Sequence, residues 1–442
     1  MLLKYSVSNF KSIGRNIEFS MFPLENTDDQ FLTQIETVAG TWKVLKRGAF
    51  FGPNASGKTS FVKSLAFAKE YVVKGSKNNS IIKSTQFRGN IKELDGITSF
   101  EFMIYVNEEV YDYGFSIKNS YISEEWLLVL SSNGFKPLFE RKTNRLKNTS
   151  IKYKSSNLCQ SKRESKLIDL LCESIGENQA NSLFLYKLAV DFGYIIPQSI
   201  VSWFRNITII YPDSQIKDLP KIIKYKKDFR EFISQNLLIL DTGVNSVTTR
   251  AKQIDILDFA NKFNISEELL NNIQDAQNVF LEINGKLYFF GENKNSMTMI
   301  EIKLEHFLNG KLIPFDIQDE SDGTQRLLDI LPVLYTLNQQ QHSIFIIDEL
   351  DRSFHTKLSR HFVREFEKKA VNQQLLFTAH DTNLLDLDLF RKEEIWFVEK
   401  KISGETKLRP LSNFSIKNDQ DILKGYLLGR FGAVPVIKEE RV

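Results

Sequence analysis

The first 75 residues alternate between short strand patterns and one helical pattern. Residues 3–7 and 17–20 alternate apolar and polar side chains, which predicts two half-buried strands. Residues 47–51 predict a third strand that runs directly into a glycine-rich loop, and the apolar side chains of residues 60–71 then recur at helical spacing. A strand, a loop and a helix in this order indicate an α/β domain.

Residues 98–130 and the region after them follow different patterns. In 98–130, apolar and polar residues alternate in two runs joined by the turn sequence of residues 107–109, which predicts a β-meander. Residues 136–310 begin with a polar stretch and then show helical patterns, such as 167–175 and 183–191. They contain no sustained heptad repeat, so a long coiled-coil segment is not expected.

The last part of the chain returns to alternating helices and strands. Residues 343–347 form a nearly continuous apolar run, as expected for a strand buried on both faces of a parallel sheet. Pro332 predicts a kink or break in a helix at 327–337. The other predicted elements are a helix at 357–369 and strands at 374–378 and 395–398. We therefore predict three parts, an N-terminal lobe (1–135), a mostly helical insertion (136–310) and a C-terminal lobe (311–442).

The composition narrows the class of protein without identifying a partner. A formal net charge of +3 over 442 residues neither favours nor excludes nucleic acid. Cys159 and Cys172 lack zinc-ligand spacing and are too few for a disulfide framework, so both are expected to be inert thiols in a reducing compartment. No signal peptide and no apolar run of ~18 residues is found, so we expect a cytoplasmic protein without a membrane segment. Most of the 35 phenylalanines are expected in the core.

The glycine-rich loop carries the strongest chemical signal. It matches G-x-x-x-x-G-K-[ST] at every fixed position, and its context between a strand and a helix disfavours a chance match. Its glycines let backbone amides surround phosphates, Lys58 adds a positive charge for the β and γ phosphates, and Thr59 offers a hydroxyl to Mg²⁺. The predicted binding residues are Gly52, Pro53, Asn54, Ala55, Ser56, Gly57, Lys58 and Thr59. The loop predicts a bound nucleoside triphosphate with Mg²⁺.

An acidic pair follows the apolar run at 343–347. Ligands bind at the carboxyl ends of parallel strands in α/β folds, so Asp348 is predicted to hold Mg²⁺ and Glu349 to orient and polarise the attacking water. The alternative is a surface turn after a core strand. A phosphate-binding loop in the same chain favours the catalytic interpretation.

Two further segments carry residues suited to a phosphate site. His380 follows the predicted strand at 374–378 and could contact the γ-phosphate, although a histidine at a strand end is more often structural. Ser321 and Gly323 precede the helix at 327–337, where backbone amides bind anions. The alternative for Ser321 is a simple N-cap. The order of both segments around the acidic pair favours functional roles.

These four elements, in this order, resemble ABC-type ATPases of the SMC and recombination-repair kind. The sequence is more similar to the AAA-type, OLD-like and AbiLi-like ATPases of bacterial defence and abortive infection. The segments similar to these defence ATPases are YDYGF (111–115), ESDGTQRL (320–327), DELDRSFH (348–355) and GYLLGRFGA (425–433). The segment NFKS (9–12) is similar to the opening of the SMC-type ATPases. The resemblance implies an α/β fold, a P-loop NTPase of ABC/SMC-like architecture with an antiparallel β-meander and a mostly helical insertion.

The resemblance also implies roles for particular residues. Ser321 and Gly323 would form a signature loop, Asp351 a D-loop and His380 a switch histidine. ATP and Mg²⁺ would be the cofactors, with Glu349, His380 and Lys58 as the catalytic residues. Because one chain carries one signature loop, two complete sites would require a homodimer, or a higher oligomer built from dimers, with two ATP molecules between its subunits.

The first functional hypothesis is a dimeric ATP-hydrolysing switch of a bacterial defence system. It would sense a phage or nucleic-acid trigger and control a separate effector, a nuclease or a toxin, because no segment here matches the Toprim nuclease that some relatives carry. One alternative is a DNA-repair or chromosome-associated ATPase. Another is a slow-turnover, nucleotide-dependent scaffold that holds a toxin.

Two assignments stay open at this stage. Gln86 is the best candidate for a Q-loop, but its sequence context does not identify it securely. Residues 221–227 form the most basic short stretch and could contact nucleic-acid phosphates, although such a stretch is more often a solvated helix face.

Overall fold

The computed structural model describes most of the chain. The described ranges are 1–24, 32–75, 85–89, 96–144, 146, 148–154, 158, 161–178, 180–214, 219–275, 279–283, 286–290, 296–337, 343–415 and 422–434. They form two compact units, of which unit 1 comprises Met1–Pro212 and Gln340–Val442, and unit 2 comprises Asp213–Gln339. The division of the chain at residues 135 and 310 stays a prediction.

The described residues form twenty strands and eleven helices. In chain order the strands are β1 (Leu2–Ser8), β2 (Ile17–Ser20), β3 (Leu32–Thr37), β4 (Gly40–Leu45), β5 (Arg47–Phe51), β6 (Ile97–Val106), β7 (Glu109–Lys118), β8 (Tyr121–Ser131), β9 (Gly134–Thr143), β10 (Thr149–Tyr153), β11 (Ile207–Ile210), β12 (Val244–Asp255), β13 (Val279–Ile283), β14 (Lys286–Phe290), β15 (Ser296–Leu308), β16 (Lys311–Asp316), β17 (Ile344–Ile347), β18 (Gln374–Ala379), β19 (Ile395–Lys400) and β20 (Thr406–Pro410). The helices are α1 (Lys58–Lys74), α2 (Lys162–Asn178), α3 (Phe184–Tyr186, continued by a π-helical turn, Lys187–Asp191), α4 (Ile195–Arg205), α5 (Leu219–Tyr225), α6 (Lys227–Ile239), α7 (Ile256–Phe263), α8 (Glu267–Asp275), α9 (Asp322–Thr336), α10 (Thr356–Lys369) and α11 (Ile422–Leu427).

A mostly parallel sheet of unit 1 carries the predicted phosphate-binding loop. Within the described ranges its strand order is β11-β17-β18-β5-β19-β20, and only β20 runs antiparallel to its neighbour. Strands β5, β17 and β18 are buried at every position, which explains their continuous apolar sequences. The three strands predicted at 47–51, 343–347 and 374–378 are confirmed.

A second, antiparallel sheet of unit 1 contains the predicted meander. Its order in the described part of the chain is β10-β9-β8-β7-β6-β1-β2. The β6–β7 hairpin closes at the pair Val106 and Glu109, and its turn residues Asn107 and Glu108 have φ values of 50° and 64°. Two left-handed residues form the type I′ turn that matches the twist of paired strands. The predicted hairpin is therefore confirmed.

Helix α1 packs between these two sheets through aromatic side chains. The Phe61 ring centroid lies 5.6 Å from that of Tyr5 in the antiparallel sheet and 4.7 Å from that of Phe50 in the parallel sheet. Phe19 also contacts Phe50, at 5.1 Å. All four residues are buried, so the phenylalanine-rich core holds the helix that follows the phosphate-binding loop in place.

The YDYGF segment of β7 has a packing explanation. A Cβ atom at Gly114 would lie 2.1 Å from the Trp126 ring, so only glycine leaves room for the indole on β8. The same indole Nε1 donates to Asp112 Oδ1 at 2.8 Å. Glycine and aspartate at these two positions therefore fix one tryptophan against the sheet.

A buried ion pair joins the meander to α3. Glu125 and Arg141 are buried, with 3.5 Å between the carboxylate and the guanidinium. The Glu125 oxygens accept the backbone N–H groups of Phe184 at 2.7 Å and Leu185 at 2.9 Å. Burial raises the pKa of Glu125, although Arg141 opposes the shift. This carboxylate satisfies the donors at the start of α3 that would otherwise be buried without a partner.

Unit 2 contains both helices and an antiparallel sheet. The sheet order is β12-β15-β14-β13, and β16 also pairs with β15. The region predicted as a mostly helical insertion thus also contains long strands. The pattern did not reveal β12 because its residues 250–253 are all exposed, so no alternation is visible there. Helix α9 continues through Pro332 and does not end there.

Two further sequence predictions concern membrane segments and the cysteines. No helix in the described ranges is long and apolar enough to span a membrane. Cys172 on α2 is a free, half-buried thiol, and burial raises its pKa to about 11, which suits an inert cysteine. Cys159 lies outside the described residues.

Glu125→Ala is expected to lower the free energy of unfolding by about 3–5 kcal/mol, because it leaves the buried Arg141 guanidinium without its carboxylate. Chemical denaturation followed by tryptophan fluorescence measures this change. The matched control is Glu124→Ala, since Glu124 is exposed and 3.8 Å from exposed Lys142, and such pairs contribute about 0–1 kcal/mol. Equal losses in the two variants would contradict a stabilising role for the buried pair.

Candidate functional site

The loop at 52–59 packs closely against neighbouring strands. A Cβ atom at Gly52 would lie 2.1 Å from the Val398 carbonyl oxygen, and one at Gly57 would lie 2.0 Å from Thr406 Oγ1. Gly57 also has a φ of 115°, which glycine adopts without strain. Both positions therefore require glycine, and the loop backbone lies directly on β19 and β20.

The N-terminus of α1 is open toward this loop. Gly57 is the N-cap residue, and no side chain in the described part of the chain caps the helix. The first N–H groups of a helix have no partner within the helix, so this end favours an anion. The Thr406 hydroxyl donates to the Ser56 carbonyl oxygen of the loop at 3.0 Å. It also lies 2.8 Å from Ser12 Oγ. The close-packed glycines and the open helix end fit the phosphates of a nucleotide.

The Lys58 ammonium lies beside the loop and the adjacent strand end. Its Nζ donates to the carbonyl oxygens of Gly52 at 2.6 Å and Pro53 at 3.2 Å, and it lies 3.4 Å from His380 Nδ1. Burial lowers the pKa of Lys58 to about 8, although carboxylates in the loop after β17 oppose the shift. A largely buried ammonium among loop carbonyls can exchange these contacts for phosphate oxygens.

The acidic pair follows β17 at the same sheet edge. Asp348 is 1% exposed, and its Oδ1 accepts the Thr378 hydroxyl at 2.7 Å. The Glu349 N–H donates to the same Thr378 oxygen at 2.8 Å. Glu349 has a φ of 52°, a left-handed conformation that costs a non-glycine residue roughly 1–3 kcal/mol. Such strain is typical of functional sites, where the surrounding structure holds it.

His380 lies between the lysine and the acidic pair. Its Nε2 is 3.8 Å from Glu349 Oε1, and its other ring nitrogen faces Lys58. Burial and then the Lys58 charge lower the pKa of His380. The Asp351 carboxylate accepts the backbone N–H groups of His380, at 2.8 Å, and Asp381. Unit 1 thus brings Lys58, Asp348, Glu349 and His380 together.

The donors present fit Mg²⁺ bound together with a nucleotide. In the described ranges, no three or more His, Cys, Asp or Glu side chains form a group that could hold a metal alone. Mg²⁺ is usually held by one or two protein oxygens together with phosphates and water. The Thr59 hydroxyl at the start of α1 and the Asp348 carboxylate are such oxygens.

Ser321 and Gly323 lie at the start of α9 in unit 2. Ser321 is the N-cap, and its Oγ accepts the Thr324 N–H at 3.2 Å. The preceding Glu320 carboxylate is 2.6 Å from His306 Nε2 on β15. The structure therefore supports the capping interpretation of Ser321, and a contact with a nucleotide of a second chain stays a prediction.

Some residues near the site could not be identified from the sequence. Thr378 bonds to both residues of the acidic pair, yet only the folded structure brings it there. Tyr211 follows β11, and its pKa is raised to about 12 by burial and then by the carboxylates of Asp348 and Glu70. A tyrosine after a short strand gives no sequence signal for this position.

The Q-loop role of Gln86 and the nucleic-acid contact of residues 221–227 both stay predictions. Gln86 Nε2 donates to the Gly96 carbonyl oxygen at 2.9 Å, so a Q-loop role stays a prediction. The basic stretch at 221–227 spans α5 and the start of α6. The Lys221 ammonium lies 4.3 Å from the Phe280 ring centroid, a cation–π contact that accounts for one of its charges.

Comparison with known proteins identifies the family. Residues 49–386 match the family described as "AAA domain, putative AbiEii toxin, Type IV TA system". No protein with a curated description matches the chain significantly. Among solved structures, the SMC head domain from Thermotoga maritima is 13% identical, with 94% of this chain and 99% of that chain covered and a TM-score of 0.39. An SMC head bound to the C-winged helix domain of ScpA is 14% identical, with 92% of this chain and 96% of that chain covered and a TM-score of 0.40. Because the family match spans more than half of its 442 residues, the chain belongs to this family of AAA-type P-loop proteins.

Proposed function

We propose that this protein binds and hydrolyses ATP with Mg²⁺ and acts as the dimeric switch of a bacterial defence system. The observation that carries the proposal is the cluster of Lys58, Asp348, Glu349 and His380 at one sheet edge, beside the open N-terminus of α1. These groups supply positive charge, a metal-binding carboxylate and a second carboxylate for water, which are the needs of phosphoryl transfer to water.

Each side chain has a distinct part in hydrolysis. Lys58 neutralises charge on the β and γ phosphates, and the Asp348 and Thr59 oxygens would hold Mg²⁺, which offsets further negative charge when bound. Glu349 orients the attacking water and accepts its proton. His380, between Lys58 and Glu349, contacts the γ-phosphate and so reports whether the nucleotide is intact. Asp351 transmits this state to the loop after β17, because it bonds the His380 backbone.

The switch requires a second chain. The chain contains one phosphate-binding loop and one Ser321–Gly323 segment at the start of a helix, and an isologous dimer would provide two equivalent sites. ATP then joins the subunits, and loss of the γ-phosphate releases them.

The defence role is supported by the family description, which names an AbiEii toxin and a Type IV toxin–antitoxin system. A separate effector or toxin partner would read the open and closed states. The presence of Glu349 beside His380 favours hydrolysis over a scaffold that holds nucleotide without turnover.

Mixing Lys58→Ala chains with Ser321→Arg chains is expected to restore ATP hydrolysis that each variant lacks alone. Half of the dimers in an equal mixture are mixed, and each carries one intact site, so about a quarter of wild-type phosphate release should return. Lys63→Ala, on the exposed face of the same helix, is the control and should retain activity. No recovery after exchange of subunits would contradict sites shared between two chains.

Glu349→Gln is expected to reduce hydrolysis about 10²–10³-fold while ATP still binds, because the amide cannot accept the proton of water. Light scattering with ATP and Mg²⁺ should then show a stable dimer. Glu365→Gln, at a partly exposed carboxylate of α10 that pairs with Lys368 and Lys369, is the matched control and should behave as wild type. Full hydrolysis by Glu349→Gln would remove the assignment of Glu349.

A further inference from the structure

One buried hydroxyl links the two carboxyl-bearing residues that follow β17. Thr378 lies on β18 with no exposed surface. Its Oγ1 donates to Asp348 Oδ1 at 2.7 Å and accepts the Glu349 N–H at 2.8 Å. The Thr378 carbonyl oxygen also accepts the Leu350 N–H at 2.9 Å. Thr378 therefore contacts three consecutive residues of this loop.

The chemistry of the hydroxyl matches this position. A threonine hydroxyl offers one donor and two acceptor lone pairs, so it can serve a carboxylate and an N–H group simultaneously. Valine has the same shape and neither function, while serine keeps both. The donor bond fixes the plane of the Asp348 carboxylate. The acceptor bond holds the Glu349 backbone in its left-handed conformation, with a φ of 52°.

We infer that Thr378 is a positioning residue for Mg²⁺-dependent ATP hydrolysis, an inference that rests on the proposed function. Its hydroxyl orients the Asp348 carboxylate, which would hold Mg²⁺, and the backbone of Glu349, whose side chain would orient the attacking water. Residues that orient metal ligands in this way typically change metal affinity or activity about 10–100-fold when they are replaced.

Thr378 also couples this loop to the histidine two residues further along. The Asp351 carboxylate accepts the His380 N–H at 2.8 Å, and Thr378 bonds the start of the same loop. The loop after β17 and the end of β18 are thus joined at two points. These contacts connect the Glu349 backbone to the segment that carries His380.

The experiment compares Thr378→Val, Thr378→Ser and a matched control in the full chain. Two readouts are measured: phosphate release, and the affinity for a fluorescent ATP analogue with Mg²⁺ and with EDTA. Thr378→Val should reduce phosphate release and the Mg²⁺-dependent gain in affinity about 10–100-fold, with the affinity in EDTA unchanged. Thr378→Ser should restore both. If Thr378→Val does not fold, Thr378→Cys, with its weaker donor, takes its place.

The control is Thr33→Val. Thr33 is 6% exposed, and its hydroxyl donates to the Val371 carbonyl oxygen at 2.9 Å. Val371 precedes the first residue of β18, whereas Thr378 lies near the other end of that strand. Thr33→Val removes a hydroxyl group, as Thr378→Val does, and should keep wild-type values for phosphate release and for nucleotide affinity. A Thr378→Val variant that matches Thr33→Val would overturn the inference, as would equal losses of affinity with Mg²⁺ and with EDTA. A wild-type chain that neither binds Mg²⁺–ATP nor hydrolyses it would instead refute the proposed function.

Discussion

The parallel pairing of β18 with both β5 and β17 is the constraint on which the site depends. Ala379 pairs with Phe51 and Phe377 pairs with Ile347, so the segments after all three strands begin at one edge of the sheet. Polar side chains secure β18 near both ends. Gln374 bonds the backbone of Leu2 and Leu45 at the start of the strand, and Thr378 bonds the acidic loop near its end. A shift of one residue in this register would separate the lysine from the carboxylates.

This arrangement gives the charged groups of the site defined neighbours within the chain. The Lys58 ammonium contacts its own loop and His380, and the Asp348 carboxylate contacts Thr378. If the site hydrolyses ATP as proposed, groups that are already oriented need not reorganise during the reaction, and this lowers the barrier to phosphoryl transfer. The left-handed Glu349 is consistent with such an arrangement, because its conformation is maintained by a neighbouring strand.

The sequence predicted local features well and non-local ones poorly. The loop at 52–59, the apolar strands and the β6–β7 turn each depend on neighbouring residues, so their patterns were visible. In the sequence, Thr378 is an ordinary β-branched residue of a predicted strand. Its contact with Asp348 depends on the order of the strands in the sheet, which no local pattern encodes. The hydrophobic pattern does not predict strand β12, because four consecutive residues of this strand are exposed. Pro332 predicts a kink or break, and α9 does not break there.

The central claim is that two chains share each ATP site. The most direct test is the rate of phosphate release per chain, measured for the wild-type protein over a wide range of protein concentration with saturating ATP and Mg²⁺. If two chains share each site, this rate rises with protein concentration and reaches a plateau where light scattering shows the dimer. A rate per chain that stays constant from fully monomeric to fully dimeric conditions would contradict it.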